Sequence, residues 1–210
     1  FQSTCDSTVL KALAFDRSIM YKADCAFLYI QMELCTSDLE SWLTDASNNP
    51  RDLAQIKNWF KQIVSAVGYI HDNGKIHRDL KPSNILFAGP EKLKICDLGI
   101  AADISTKNGK EITATRTGRA GTLQYMAPEQ HGFSYTSKVD IFSLGFILAE
   151  LCIPMNAART AQVFSDLRAG KHINLLKEQP EVERLVVSMT NSSHLKRPKC
   201  EEILKNPWLA

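Results

Sequence analysis

The stretch IHRDLKPSNILF, from Ile76 to Phe87, sets His77, Arg78, Asp79, Lys81 and Asn84 close together and ends in apolar residues. That density of ionisable side chains points to catalysis, with a polar surface loop as the plain alternative. A second acidic position follows at Asp97, in ICDLGIA. Taken alone, an aspartate before Gly99 is as readily a turn residue. With Asn84 thirteen residues earlier, the plain turn reading weakens. Glu129, in GTLQYMAPEQ (121–130), needs a cationic partner if it is buried, because an unpaired buried carboxylate is very costly. Asp140 stands where a helix begins, so a simple N-cap is one reading of it. Between Asp97 and Glu129 lie Thr113, Thr115, Thr117 and Thr122, with Arg116 and Arg119 nearby. A phosphothreonine adds about −1.5 to −2 charge, which an arginine cluster can order.

These residues need elements to position them. AFLYIQMEL (26–34) is apolar and rich in strand formers, which predicts a buried strand. In CTSDLESWL, Thr36 or Ser37 can cap a helix, with Glu40 completing a capping box after Ser37. From Leu53 to His71, apolar residues recur at Ile56, Phe60, Ile63, Val67 and Ile70, which predicts a long amphipathic helix ended by Asn73-Gly74. NILF and KLKICDL flank Ala88-Gly89-Pro90 and read as two short strands joined by a turn. Residues 99–125 read as a long mobile loop, and loops of that length within a domain are usually functional. DIFSLGFILAELC (140–152) is apolar nearly all round and predicts a buried helix. The remainder reads as further helices, with Pro180, Pro198 and Pro207 as breakers.

Composition narrows the function classes. With 210 residues, 44% apolar and 23% charged, the chain can bury a sizeable core as an ordinary globular protein. A net charge of +2 does not by itself point to nucleic acid or an anionic membrane. No apolar run reaches spanning length; the longest, Val139 to Pro154, contains Asp140 and Glu150. The six cysteines are scattered without paired spacing, which argues against a zinc site or disulfide framework and fits a reducing compartment. The opening FQSTCDST is neither a start methionine nor a signal sequence, which leads us to expect a fragment.

Together these motifs resemble the eukaryotic serine/threonine protein kinases. The resemblance implies that Asp79 accepts or orients the substrate hydroxyl proton and that Asn84 and Asp97 hold magnesium. It places Lys81 beside the transferring phosphoryl group and Thr122 near Asp79 and Lys81. His77 is structural, Leu98 stands where the family usually has Phe, Glu129 pairs with Arg197 of LKRPKC, and Asp140 accepts backbone hydrogen bonds from the catalytic loop. Thr117 becomes the expected phosphorylation site of an activation segment at 97–129, with Arg78 as receiver. Met32, Glu33, Cys35 and Leu86 fall at the hinge and the nucleotide, so ATP and magnesium are the implied cofactors. LYIQMELC, GTLQYMAPEQ and SYTSKVDIFSLGFILAEL are most similar to the kinases of the translation initiation factor 2 α subunit, and HGFSYTSKVDIFSLG to their endoplasmic-reticulum stress member. In that sub-family ARTAQVFSDLRAG (158–170) corresponds to a substrate-docking helix, with Thr160 at a contact position; a plain solvated helix is the alternative.

The resemblance implies an α+β, protein kinase-like fold. Residues 1–26 would end an insertion or linker, 27–35 would form the last small-lobe strand and hinge, and 36–210 the helical large lobe. Most of the small lobe is then missing. The first glycine is Gly68, so no glycine-rich phosphate loop precedes the hinge. Lys11 in VLKAL only imitates the phosphate-binding lysine, and no glutamate precedes Glu33 to pair with it. Phosphoryl transfer depends on positioning and electrostatics, so these residues alone are expected to be nearly inactive. The loss also exposes apolar surface that favours a partner. The expected partners are a protein substrate, the initiation factor 2 α subunit, and a second kinase copy through the small lobe. Direct nucleic-acid contact and a membrane segment in this chain are not expected, and the catalytic region would face the cytosol. The alternative is a catalytically deficient module that binds substrate or a kinase partner. Intact Asp79, Asn84 and Asp97 favour the active class, because a pure binding module has no chemical need of all three.

Overall fold

Helix α3 (Lys138–Cys152) has fifteen residues, of which thirteen are buried. A helix apolar on every side can only lie at the centre of a fold, and the other helices are arranged about it. The computed structural model describes residues 31–45, 51–98, 101–103, 105–107, 110–112, 123–132, 135–173 and 179–209. The chain divides into two compact units, 1–33 and 34–210. Of the first, only 31–33 are described, and they have no regular structure.

In the second unit, strand β1 (Ser37–Asp38) leads directly into helix α1 (Leu39–Asp45). Helix α2 (Leu53–Asp72) begins at Asp52, whose carboxylate accepts the amides of Ala54 at 2.9 Å and Gln55 at 3.3 Å. Its buried face carries Ile56, Trp59, Phe60, Ile63, Val64 and Val67, which recur at three- and four-residue steps. It stops at Asn73, and Gly74 turns the chain away at φ +69°, a conformation that favours glycine. Strand β2 (Lys75–Ile76), a 3₁₀ turn (Pro82–Asn84) and the hairpin of β3 (Ile85–Gly89) and β4 (Lys92–Ile95) follow. Strands β1, β3 and β4 form one antiparallel sheet in that order, with Ser37 opposite Phe87 and Ile85 opposite Ile95. Strand β5 (Ala102–Asp103) pairs with β2, and β6 (Ser105–Lys107) with β7 (Lys110–Ile112). After α3 come α4 (Ala157–Arg168), α5 (Pro180–Met189) and the short α6 (Cys200–Leu204). Aromatic side chains lock this core: Phe146 stacks on Phe164 at 4.2 Å, and Trp59 meets Trp42 and Phe87 edge-on.

Four local expectations change. Residues 31–35 are not a strand, and 26–30 lie outside the described residues. A strand needs a partner for its backbone groups, and no described strand pairs with 31–35. The cap of α1 is Asp38, which accepts the Ser41 amide at 2.8 Å; Thr36 and Ser37 instead take part in sheet pairing, with the Thr36 amide on the Phe87 carbonyl. Asp38 stands immediately before the helix, so its carboxylate replaces the box that Ser37 and Glu40 would have made. The segment expected as loop contains β5, β6 and β7. Pro180 opens α5 rather than breaking a helix, because its missing N–H costs nothing at the first helical position.

Gly145 marks the closest approach of α3 to α5. An added Cβ would lie 2.6 Å from Thr190 Cγ2 and 3.2 Å from Met189 Cβ, both in buried residues. Gly145→Ala is therefore expected to lower stability in urea unfolding by about 1–3 kcal/mol through overpacking. The gain in helix propensity of up to about 1 kcal/mol is too small to reverse the sign. Equal or higher stability of the variant would show that the two helices can part without cost.

Candidate active site

The polar stretch after β2 is held by one carboxylate. Asp140, in the first turn of α3 and 1% exposed, accepts the His77 amide at 2.8 Å on Oδ2 and the Arg78 amide at 2.9 Å on Oδ1. His71 Nε2, from the last turn of α2, lies 2.8 Å from the same Oδ2. Asp140 therefore joins α2, the loop and α3, and is no simple helix cap. It allows Arg78 to sit at φ +73°, a conformation that a long side chain enters at a cost of about 1–3 kcal/mol. The loop is closed from above by Gln130, whose Nε2 donates to the Arg78 carbonyl at 3.2 Å while its Oε1 accepts the Ala127 amide at 2.8 Å. The His77 ring, fully buried, contacts the Cys96 carbonyl through Nε2 at 2.9 Å and receives the Asp79 amide on Nδ1 at 3.3 Å.

This framework aims Asp79, Lys81 and Asn84 at one another. Lys81 Nζ is 3.2 Å from Asp79 Oδ2, and Asn84 Nδ2 donates to the same oxygen at 3.3 Å and to the Asp79 carbonyl at 2.8 Å. Asp79 and Lys81 remain partly exposed, as groups meeting a substrate must be. The hairpin register brings Asp97 to the same end. Ile85 opposes Ile95, the Cys96 amide donates to the Asn84 carbonyl at 3.0 Å, and Asp97 follows. Asp97 is exposed and also has positive φ, at +61°. Among the described residues, no three His, Cys, Asp or Glu side chains form a metal-binding group. An amide oxygen and one carboxylate at the mouth of a hairpin suit a cation that keeps water and phosphate oxygens, as magnesium does.

Other expected residues fall as follows. Glu129 meets Arg197 through both oxygens, Oε1 to Nη1 and Oε2 to Nη2 at 3.0 Å. Arg197 is 2% exposed, donates Nε to the Asn191 carbonyl at 2.7 Å, and lies 4.7 Å from the Phe142 ring centroid. Leu98 is exposed. Arg78 is buried and donates Nη1 to the Tyr135 hydroxyl at 3.2 Å. Leu86 is half-buried on β3, beside the Phe87 carbonyl that receives Thr36, the residue after Cys35. Met32 is exposed, and Glu33 belongs with it to the first unit. Thr160 is buried, its hydroxyl donating to the Asn156 carbonyl at 3.1 Å, and it lines a cavity of about 670 Å³ with Glu40, Gln124, Tyr125 and Arg168. Thr117 and Thr122 lie outside the described residues.

Sequence reasoning missed His71, Gln130, Ser143 and Glu150. The Ser143 hydroxyl donates to the Tyr125 carbonyl at 2.9 Å, and the Tyr125 hydroxyl to Glu150 Oε2 at 2.8 Å. For Ser143 and Glu150 the one signal was polarity inside an otherwise apolar helical run. Burial raises the Glu150 carboxyl to about 7, although the Tyr125 hydrogen bond opposes the shift. Burial alone would lower the His71 imidazole, but its bond to Asp140 and contact with Cys200 raise it to about 10.

A protein kinase domain family model matches residues 17–209. Among curated proteins, a eukaryotic translation initiation factor 2-alpha kinase of Caenorhabditis elegans is 37% identical over 89% of this chain and 19% of its own length. An interferon-induced, double-stranded RNA-activated protein kinase of Mus musculus is 40% identical over 88% of this chain and 35% of its own. Eukaryotic translation initiation factor 2-alpha kinase 3 of Rattus norvegicus is 38% identical over 86% and 17%. The chain thus spans about a fifth to a third of these relatives.

Two outcomes follow from the geometry. Because His71 is raised in the fold, its contribution to stability is full below its ordinary value of 6.5 and is lost as pH rises towards about 10. Urea unfolding from pH 6 to 10 should show this decline, and His71→Asn should flatten it; an equal slope in the variant would remove His71 as its source. Arg197→Met should destabilise the chain by about 3–5 kcal/mol by leaving Glu129 without its cation. Adding Glu129→Leu should recover part of that loss in the same measurement.

Proposed function

The chain belongs to the protein kinase domain family, and from that premise we propose that it is the catalytic region of a serine/threonine kinase acting on the initiation factor 2 α subunit. The observation that carries this reading is the convergence of Lys81 and Asn84 on one oxygen of Asp79, in a loop anchored by Asp140. A partly exposed carboxylate can accept the proton of an incoming serine hydroxyl. The Lys81 ammonium offsets charge on the phosphoryl group, and the Asn84 amide holds Asp79 in place. Asn84 and Asp97 would hold magnesium, which when bound neutralises the phosphate oxygens of ATP. The substrate is proposed from the relatives, two of which are initiation factor 2-alpha kinases. Residues 36–210 serve in this reading as the large lobe, 97–129 as its activation segment, and Thr117 as the phosphorylation site received by Arg78. In this reading Cys35 and Leu86 contact the nucleotide, and the cavity beside Thr160 takes part in docking.

The second reading is a binding module without transfer, which holds substrate or a kinase partner. Both readings expect the isolated 210 residues, given ATP and magnesium, to transfer no more phosphate than their own Asp79→Asn variant. They part when the chain is joined to a small lobe carrying a glycine-rich loop and a Lys–Glu pair. The kinase reading then expects phosphoserine on the α subunit, reduced at least about 100-fold by Asp79→Asn and also reduced by Thr117→Ala. No transfer from that complete domain would overturn the kinase reading in favour of the binding module.

A further inference from the structure

Cys200 opens α6 and lies behind the loop anchor, away from Asp79. Its Sγ is 3.9 Å from His71 Nδ1, and His71 Nε2 is 2.8 Å from Asp140 Oδ2. Thiol, imidazole and carboxylate thus stand in series, a nucleophile beside an imidazole that a third group orients and keeps charged. They adjoin a cavity of about 440 Å³ between α2, α3 and α6, lined also by Gly68, Tyr69, Lys138 and Lys199. Gly68 brings α2 so close to α6 that an added Cβ would lie 3.2 Å from Cys200 Cβ. The proposed kinase chemistry uses neither this thiol nor this cavity. Cys152 offers an internal comparison: it is also 7% exposed, but its charged neighbour is Arg51 rather than an imidazole, and burial pushes its thiol up to about 12.

We propose that Cys200 is a modification site for small soft electrophiles of the α,β-unsaturated carbonyl class, and that its adduct loosens the catalytic loop through His71 and Asp140. The sulfur adds to the β-carbon, so an S–C bond forms and the C=C π bond breaks. The thiol proton is released to solvent and the enolate carbon takes one proton in return, leaving a thioether and the charge on His71 unchanged. No oxidant or reductant is needed. The S–C bond replaces the S–H beside Nδ1, and the adduct's substituent must occupy the cavity against α2. Both changes act on the imidazole that shares Oδ2 of Asp140 with the His77 amide. Because this reasoning involves binding of neither ATP nor substrate, it stands or falls separately from the kinase reading.

The test uses the 210-residue chain and N-ethylmaleimide, with labelling of each cysteine followed by mass spectrometry. At neutral pH, Cys200 should react at least about tenfold faster than Cys152, because it lines the cavity beside the His71 imidazole whereas burial pushes the Cys152 thiol up. His71→Gln should remove that advantage while leaving Cys152 unchanged. Hydrogen exchange at the His77 and Arg78 amides should quicken at least about tenfold once Cys200 is labelled. The comparison of the two thiols needs no variant, so a folding defect in His71→Gln leaves it intact. Cys200 reacting no faster than Cys152 overturns the site. An adduct with unchanged exchange at both amides overturns the coupling.

Discussion

A buried carboxylate must be solvated by the protein that buries it, and at Asp140 that demand organises the chain. Two backbone amides and one imidazole replace the water that this side chain gives up. The amides belong to the loop that carries Asp79, so neutralising Asp140 and shaping the loop are the same act. A carboxylate is the acceptor best able to take both amides. Asp79 can therefore be held with its carboxylate partly open, because the strength of the loop lies one and two residues earlier.

The same logic explains the two strained residues. Among the described residues, Arg78 and Asp97 are the non-glycine positions with positive φ. They lie just before and just after the proposed chemistry. Arg78 is held at both backbone ends, by Asp140 on its amide and Gln130 on its carbonyl. Asp97 follows Cys96, whose amide and carbonyl are taken by Asn84 and His77. Strain persists only where surroundings over-determine the backbone, and hydrogen bonds from three different elements provide that here. Glycine would relieve the strain at either position but would remove the side chain that each presents.

Much of the fold was legible in the sequence because its signals are local. The period of Ile56, Phe60, Ile63 and Val67 marks α2, and the continuous apolar run marks α3. Residues joined by chemistry across long separations were legible only through the kinase resemblance, as with Glu129 and Arg197, 68 positions apart. His71 was not legible. In a helix that is polar on one side, a histidine near the end looks like a favourable charge for the last turn, and nothing local says that a buried aspartate 69 residues later faces it. The short strands between 102 and 112 were missed for another reason. Pairs of two or three residues carry too little alternation to stand out from a polar loop.

Helix α3 also carries a second carboxylate, and the contrast between the two shows what positions the site. Asp140 in its first turn has three donors, whereas Glu150 near its end has the Tyr125 hydroxyl. With one donor, Glu150 is raised by burial to about 7. Ser143, between them, holds the Tyr125 carbonyl, and Arg197 lies over Phe142 while it grips Glu129. One buried helix thus fixes the catalytic loop at its start and the segment around Tyr125 to Glu129 further along. A rigid apolar rod with a few inward polar groups can hold two chain segments in register, because moving either one would strand a buried charge or an unpaired donor. The apolar run supplies the rigidity, and Asp140, Ser143 and Glu150 supply the addresses.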